Sequence, residues 1–172
     1  MRIFTLIHVL ISLLGIFSGF VVVSGMLARK QFHGWTGLFL ATTTLTSLTG
    51  FFFPFHGITP AIVVGIISLG ILAVAIFARY ARNLAGAWRK TYVITAMLAL
   101  YLNVFVLVVQ AFLKVPALKE IAPTQNDPPF KLTQLMVLLA FIVLGVVATI
   151  RFRIEPLSST TNSNQRKESI TI

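Results

Sequence analysis

The chain has no cysteine, and only four of its 172 residues are acidic against fourteen lysines and arginines. The missing thiol excludes disulfides, thiolate metal sites, iron–sulfur clusters and a cysteine nucleophile. Glu120, Asp127, Glu155 and Glu168 are all the carboxylates there are, and none falls inside a long apolar run. Buried acids serve as the proton relays of pumps and coupled carriers, so their absence from these runs argues against a proton-driven transporter. There is no phosphate-binding glycine loop, no HExxH and no GxSxG elbow, which leaves the common enzyme chemistries without an anchor. Charged residues make up 10% of the chain, where a soluble domain carries about 25%.

What fills the sequence instead is apolar: 57% hydrophobic residues and a mean hydropathy of +0.93. This composition belongs to a polytopic membrane protein, with the lipid bilayer as its first partner. The formal charge of +10 would point to nucleic acid in a soluble protein. Here the basic residues cluster just outside the apolar runs, where they act as topology signals, so no nucleic-acid partner is expected.

Five runs are long enough to cross, at about 3–28, 35–53, 60–79, 91–113 and 132–150. A helix rises about 1.5 Å per residue, which matches runs of this length to a hydrocarbon core of about 30 Å. The expected fold is all-α, a five-helix transmembrane bundle over residues 1–154, followed by a polar, disordered tail at 155–172. The first run competes with a signal peptide, since Arg2 precedes it and Val23-Ser24-Gly25 resembles a cleavage site. It is too long for a typical signal core, and its removal would leave Arg79, Arg82, Arg89 and Lys90 on the outer side. It is expected to stay.

With five crossings and the N-terminus outside, the inner segments hold ten basic residues: Arg29, Lys30, Arg79, Arg82, Arg89, Lys90, Arg151, Arg153, Arg166 and Lys167. The outer segments hold four, Arg2, Lys114, Lys119 and Lys131. The positive-inside rule therefore places the N-terminus outside and the C-terminus inside, in what a chain of this kind suggests is a bacterial inner membrane.

Three runs carry narrow faces of small or polar residues. In the first these are Thr5, His8, Ser12, Gly15, Gly19, Val22 and Met26, where the glycine pair allows close helix approach. In the third they are Ala61, Gly65, Ser68, Leu72 and Ala75, and in the fourth Tyr92, Ala96, Ala99, Asn103, Val106 and Gln110. The second run holds Thr36, Thr42, Thr43, Thr44, Thr46, Ser47 and Thr49, whose hydroxyls are expected to bond back to their own helix. Between the fourth and fifth runs, Pro116, Pro123, Pro128 and Pro129 impose an irregular excursion, with a short helical turn at Ala117 to Ile121.

This orientation gathers His8, Asn103, Gln110 and Gln134 into an outer-leaflet polar layer, with His56 at its rim and the proline-rich loop above. These five are the candidate ligand-binding residues. The alternative is interfacial polarity that needs no ligand. His8 and His56 also form a candidate pair of axial ligands for haem b, although His56 sits in a Pro/Gly turn. No pair of ligands has zinc-site spacing, and His33 reads as a polar start to the second helix.

The segment Tyr101-x-Asn103-x-Phe105-Val106-Leu107-Val108-x-Gln110-Ala111-Phe112, with Lys114-Val115-Pro116-Ala117-Leu118, Ala122-Pro123-Thr124-Gln125 and Pro128-Pro129-Phe130, resembles a family of short bacterial inner-membrane proteins of unknown function. The resemblance covers most of residues 3 to 153 and implies inner-membrane placement; it brings no activity, cofactor or catalytic residue. The functional expectation is a non-catalytic membrane protein that binds an amphiphile, lipid or quinone, or a partner transmembrane helix, including another copy of itself. A haem-b electron-transfer protein and a small transporter are the alternatives.

Overall fold

Helix accounts for every extended run of the residues described by a computed structural model of the chain, 2–53 and 60–152. Backbone amides cannot find partners in hydrocarbon, so an apolar chain closes its hydrogen bonds within each segment. The helices are α1 (Arg2–Leu27), α2 (His33–Gly50), α3 (Pro60–Ile76), α4 (Ala87–Lys114), α5 (Pro116–Ile121) and α6 (Pro128–Arg151). No strand occurs among the described residues. Four helical segments are long and apolar enough to cross a membrane: Ile3–Leu27, Ile62–Ala81, Ala87–Lys114 and Pro128–Arg151. The fifth expected span, α2, is not among them, because its apolar residues are diluted by hydroxyls. It nonetheless packs between α1 and α3 and touches α4.

Short connections make neighbours antiparallel, and α4 is the common element, packed by α1, α3 and α6. One end of the bundle carries His8, the C-terminus of α2 and the α4–α6 connection. The other carries the α1–α2 turn, the α3–α4 loop and the end of α6. The core runs through Met26, Phe39, Leu72, Tyr92, Val93 and Leu100, all nearly inaccessible.

Several boundaries differ from the sequence reading. The second helix starts at His33 and stops at Gly50 rather than spanning 35–53. The third continues past 79 as a π-helical turn, Phe77–Ala81, and the fourth starts at Ala87 rather than 91. Aromatic packing explains the shorter loop: Trp88 meets Phe77 edge-on at 5.3 Å, and the Arg82 guanidinium lies 5.3 Å from the Trp88 ring centre. Loop closure uses left-handed backbone at Asn83, Leu84 and Gly86. The last helix starts at Pro128 rather than 132, because proline suits a first helical position and Asp127 accepts from the Thr124 amide and hydroxyl at 2.7 and 2.8 Å. The expected turn after Pro116 is α5, which packs on α4. The expected turn at 54–59 and the tail at 155–172 lie outside the described residues.

The small-residue faces point inward as their spacing implied. Gly15, Gly19, Val22 and Met26 are buried, and a side chain at Gly19 would meet Leu100 and Phe39 at 2.5 and 2.9 Å. On α3, Ser68, Leu72 and Ala75 are buried; on α4, so are Tyr92, Ala96 and Ala99. The α4 face opens toward the His8 end, where Asn103 and Val106 are half-buried and Gln110 is exposed.

Candidate functional site

Three of the candidate polar residues, His8, Asn103 and Gln134, are held by helix-to-helix ties. On α1, the His8 ring places Nδ1 2.8 Å from the Thr49 hydroxyl of α2 and meets Phe53 edge-on at 5.1 Å. Where the Thr49 proton goes to the Leu45 carbonyl at 2.7 Å, its oxygen accepts from Nδ1–H and the lone pair of His8 falls on Nε2. One helix further on, Asn103 donates to the Thr43 hydroxyl at 3.3 Å. Gln134 donates to the Phe105 carbonyl at 3.1 Å, joining α6 to α4, while its buried Oε1 has no partner.

These contacts separate the sequence candidates. His8 and Asn103 share the threonine row of α2 but bind different rungs of it. Gln134 belongs to the α4–α6 seam, Gln110 is exposed, and His56 lies outside the described residues. Behind the row, Thr42 and Thr44 bond back to Leu38 and Leu40, as expected of threonines within a helix, whereas Thr43 serves Asn103. The proline-rich connection builds its own small core from Phe112, Ala122 and Phe130 against α4.

Two hollows lie elsewhere, toward the opposite end. The larger is a groove of about 390 Å³ between α4 and α6, with Met97 and Phe141 as its floor and Ile94, Leu98, Ile142 and Val146 among its walls. It opens outward between the helices, and nearly all of its lining is apolar. Gly145 lies on its lining, where an added Cβ would come no closer than 3.9 Å to Met97. Lys90 stands one turn before Ile94 on the same helical face, so the groove's end is marked by a cation. The second hollow, about 10 Å³, is mixed; Lys30, Thr36, Arg79 and Tyr92 line it beside Met26 and Phe152 at the base of the bundle.

Neither hollow was legible in the apolar runs. Both depend on which helices become neighbours, and helix packing is not encoded in the hydropathy of any single run. Among the described residues no three histidine or acidic side chains converge on a metal-sized position. No protein-family model, curated protein or solved structure matches the chain. What fold and geometry define is a class: an all-helical bundle with four helices of membrane-crossing length and an apolar groove on its flank.

Proposed function

We propose that the chain is a non-catalytic multi-pass membrane protein that holds the apolar chain of a membrane amphiphile, a lipid or quinone, in the α4–α6 groove. The observation that carries this reading is the groove itself. Its volume of about 390 Å³ falls within the roughly 300–1,000 Å³ usual for ligand sites, and its floor is a continuous apolar surface. Five crossings follow if α2 passes through the bilayer sheltered by α1 and α3, with its hydroxyls turned to protein rather than lipid. The basic count then sets the N-terminus outside, in a bacterial inner membrane, and brings the groove and Lys90 toward the cytoplasmic leaflet. The outer polar layer becomes scaffold, with His8, Asn103 and Gln134 fixing helix register.

Gly145→Leu tests the reading, because it fills the groove without an immediate backbone clash. Native mass spectrometry of the purified protein should find a retained lipid or quinone on the parent and about tenfold less on the variant, with both equally folded. Equal retention by the two proteins would refute the groove.

A second reading draws on one observation, the His8 Nδ1 held 2.8 Å from the Thr49 hydroxyl, which leaves Nε2 as the ring nitrogen for a metal. Metal-bound histidines are commonly oriented in this way. If haem b is bound, a Soret band accompanies the purified protein and disappears in both His8→Ala and His56→Ala.

A further inference from the structure

Arg79 is a buried cation without a buried anion. Its side chain is only 7% exposed, and its guanidinium carbon lies 5.4 Å from the centre of the Tyr92 ring and 5.8 Å from that of Tyr80. Ring faces attract a guanidinium but do not accept its five N–H groups as hydrogen-bonding oxygens do. The two described carboxylates, Glu120 and Asp127, lie at the far end of the bundle, and no ion pair to Arg79 occurs among the described residues. An isolated charge in such a place is costly unless something of opposite sign comes to it.

The charged groups around it are all cationic. Tyr92 is 1% exposed, and its hydroxyl faces Thr36 and Arg79 without a well-formed hydrogen bond to either. Thr36, Arg79 and Tyr92 line a hollow of about 10 Å³, wide enough for one oxygen atom, and Lys30 and Gln31 stand at its rim. Arg89, at the same end, has a buried Nε with no partner. Cations and hydroxyls converge from the α1–α2 turn, α2, the π turn and α4, and no carboxylate stands among them. The complement is an oxyanion of several acceptor oxygens that inserts one of them and leaves the others to Lys30.

We propose that Arg79, Tyr92, Thr36 and Lys30 form a binding site for a phosphoryl anion, supplied by the headgroup of an anionic phospholipid. All four residues lie toward the basic end of the bundle, Lys30 in the α1–α2 turn, Thr36 in the first turn of α2, Arg79 in the π turn and Tyr92 in the second turn of α4, near the level at which lipid phosphates would lie in a bilayer. A guanidinium and an ammonium together match the phosphate better than either alone, because one gives directed N–H pairs and the other a mobile point charge. The site depends on the chain lying in a membrane and is separate from the α4–α6 groove.

The test uses the full chain in an uncharged detergent, with thermal unfolding and native mass spectrometry read against added phosphatidylglycerol, phosphatidylcholine or inorganic phosphate. Phosphatidylglycerol should bind more tightly and raise the unfolding midpoint more than phosphatidylcholine does. Arg79→Gln should weaken that binding about tenfold. Tyr92→Phe keeps the ring and removes only the hydroxyl, so it reports on the site even if Arg79→Gln folds poorly; it should weaken binding by about threefold. Lys30→Gln, on the rim, should act in the same direction. If inorganic phosphate alone reproduces the stabilisation, the oxyanion site stands and its source is free phosphate rather than lipid. No preference for phosphatidylglycerol, or unchanged binding in both Tyr92→Phe and Lys30→Gln, would overturn the proposal. Gly145→Leu should leave these readings unaltered, which keeps failure here distinct from failure of the groove.

Discussion

The α1–α2 seam and the α4–α6 seam use the same apolar vocabulary and reach opposite results. Along the first, Gly15, Ser18 and Gly19 bring the helices together until an added Cβ at Gly15 would stand 3.2 and 3.3 Å from the hydroxyls of Thr42 and Thr43. Ser18 is wholly buried and satisfies itself by donating to Leu14 and Gly15 carbonyls at 2.8 and 3.0 Å. Along the second, bulky branched and aromatic residues hold the helices apart around a single glycine, and the gap becomes the groove. Lipid tails are as apolar as leucine, so membrane helices gain little by burying leucine against leucine. Close approach of small residues and hydrogen bonds between helices make a tight seam; large residues alone leave room for a third body.

Gly19→Val should show the largest difference between the seams. Its side chain would enter space held by Leu100 and Phe39 of two other helices, so overpacking should cost about 3 kcal/mol of unfolding free energy. Gly145→Val should change stability by no more than about 0.5 kcal/mol, because its first neighbour is 3.9 Å away. Unfolding of both in the same detergent measures the contrast, and equal losses would break it.

Smaller effects concern the polar rungs. Asn103→Leu and Thr43→Val each remove one side of the tie between α4 and α2. Each should cost about 1 kcal/mol, with a coupling of about 0.6 kcal/mol in the double-mutant cycle. Additive losses would mean that the 3.3 Å contact contributes nothing and that the threonine row is held by its backbone bonds alone.

The contrast also separates what the sequence discloses from what it conceals. The stripe from Thr5 to Met26 was readable because helical period and small size are properties of one segment, and its buried half is the half with the glycines. The same reasoning put Asn103 on an inward face, and the expected orientation grouped it with Gln134 in one layer; in the fold Asn103 meets Thr43 of α2, and Gln134 meets Phe105 of α4. Partnership is a tertiary fact. Arg79 illustrates the opposite error: in sequence it opens a basic loop and looks like a solvent-exposed topology signal. The helix continues through it as a π turn, and Tyr92, brought alongside by α4, turns a loop cation into a buried one. Hydropathy likewise made α2 a span of the same kind as the others, although its hydroxyls set it apart, several bonding back to its own carbonyls and several buried against other helices.

The finest discrimination comes from the smallest change, a single methyl group placed on each seam. In Gly15→Ala the methyl carbon would be 3.2 Å from the Thr42 oxygen and 3.3 Å from that of Thr43, tighter than ordinary contact. Thr42 cannot turn away freely, since its hydroxyl is bonded to the Leu38 carbonyl at 2.7 Å. The helices must separate by a few tenths of an ångström, and a loss of about 1 kcal/mol is expected. In Gly145→Ala the methyl meets only Met97, at van der Waals distance, and alanine's better helix propensity offsets any disturbance. That variant should match or slightly exceed the parent, by no more than about 0.5 kcal/mol, and keep its bound amphiphile. A stability loss in Gly145→Ala equal to that in Gly15→Ala would mean that the α4–α6 seam closes in the bilayer. The groove would then belong to helix packing rather than to a ligand.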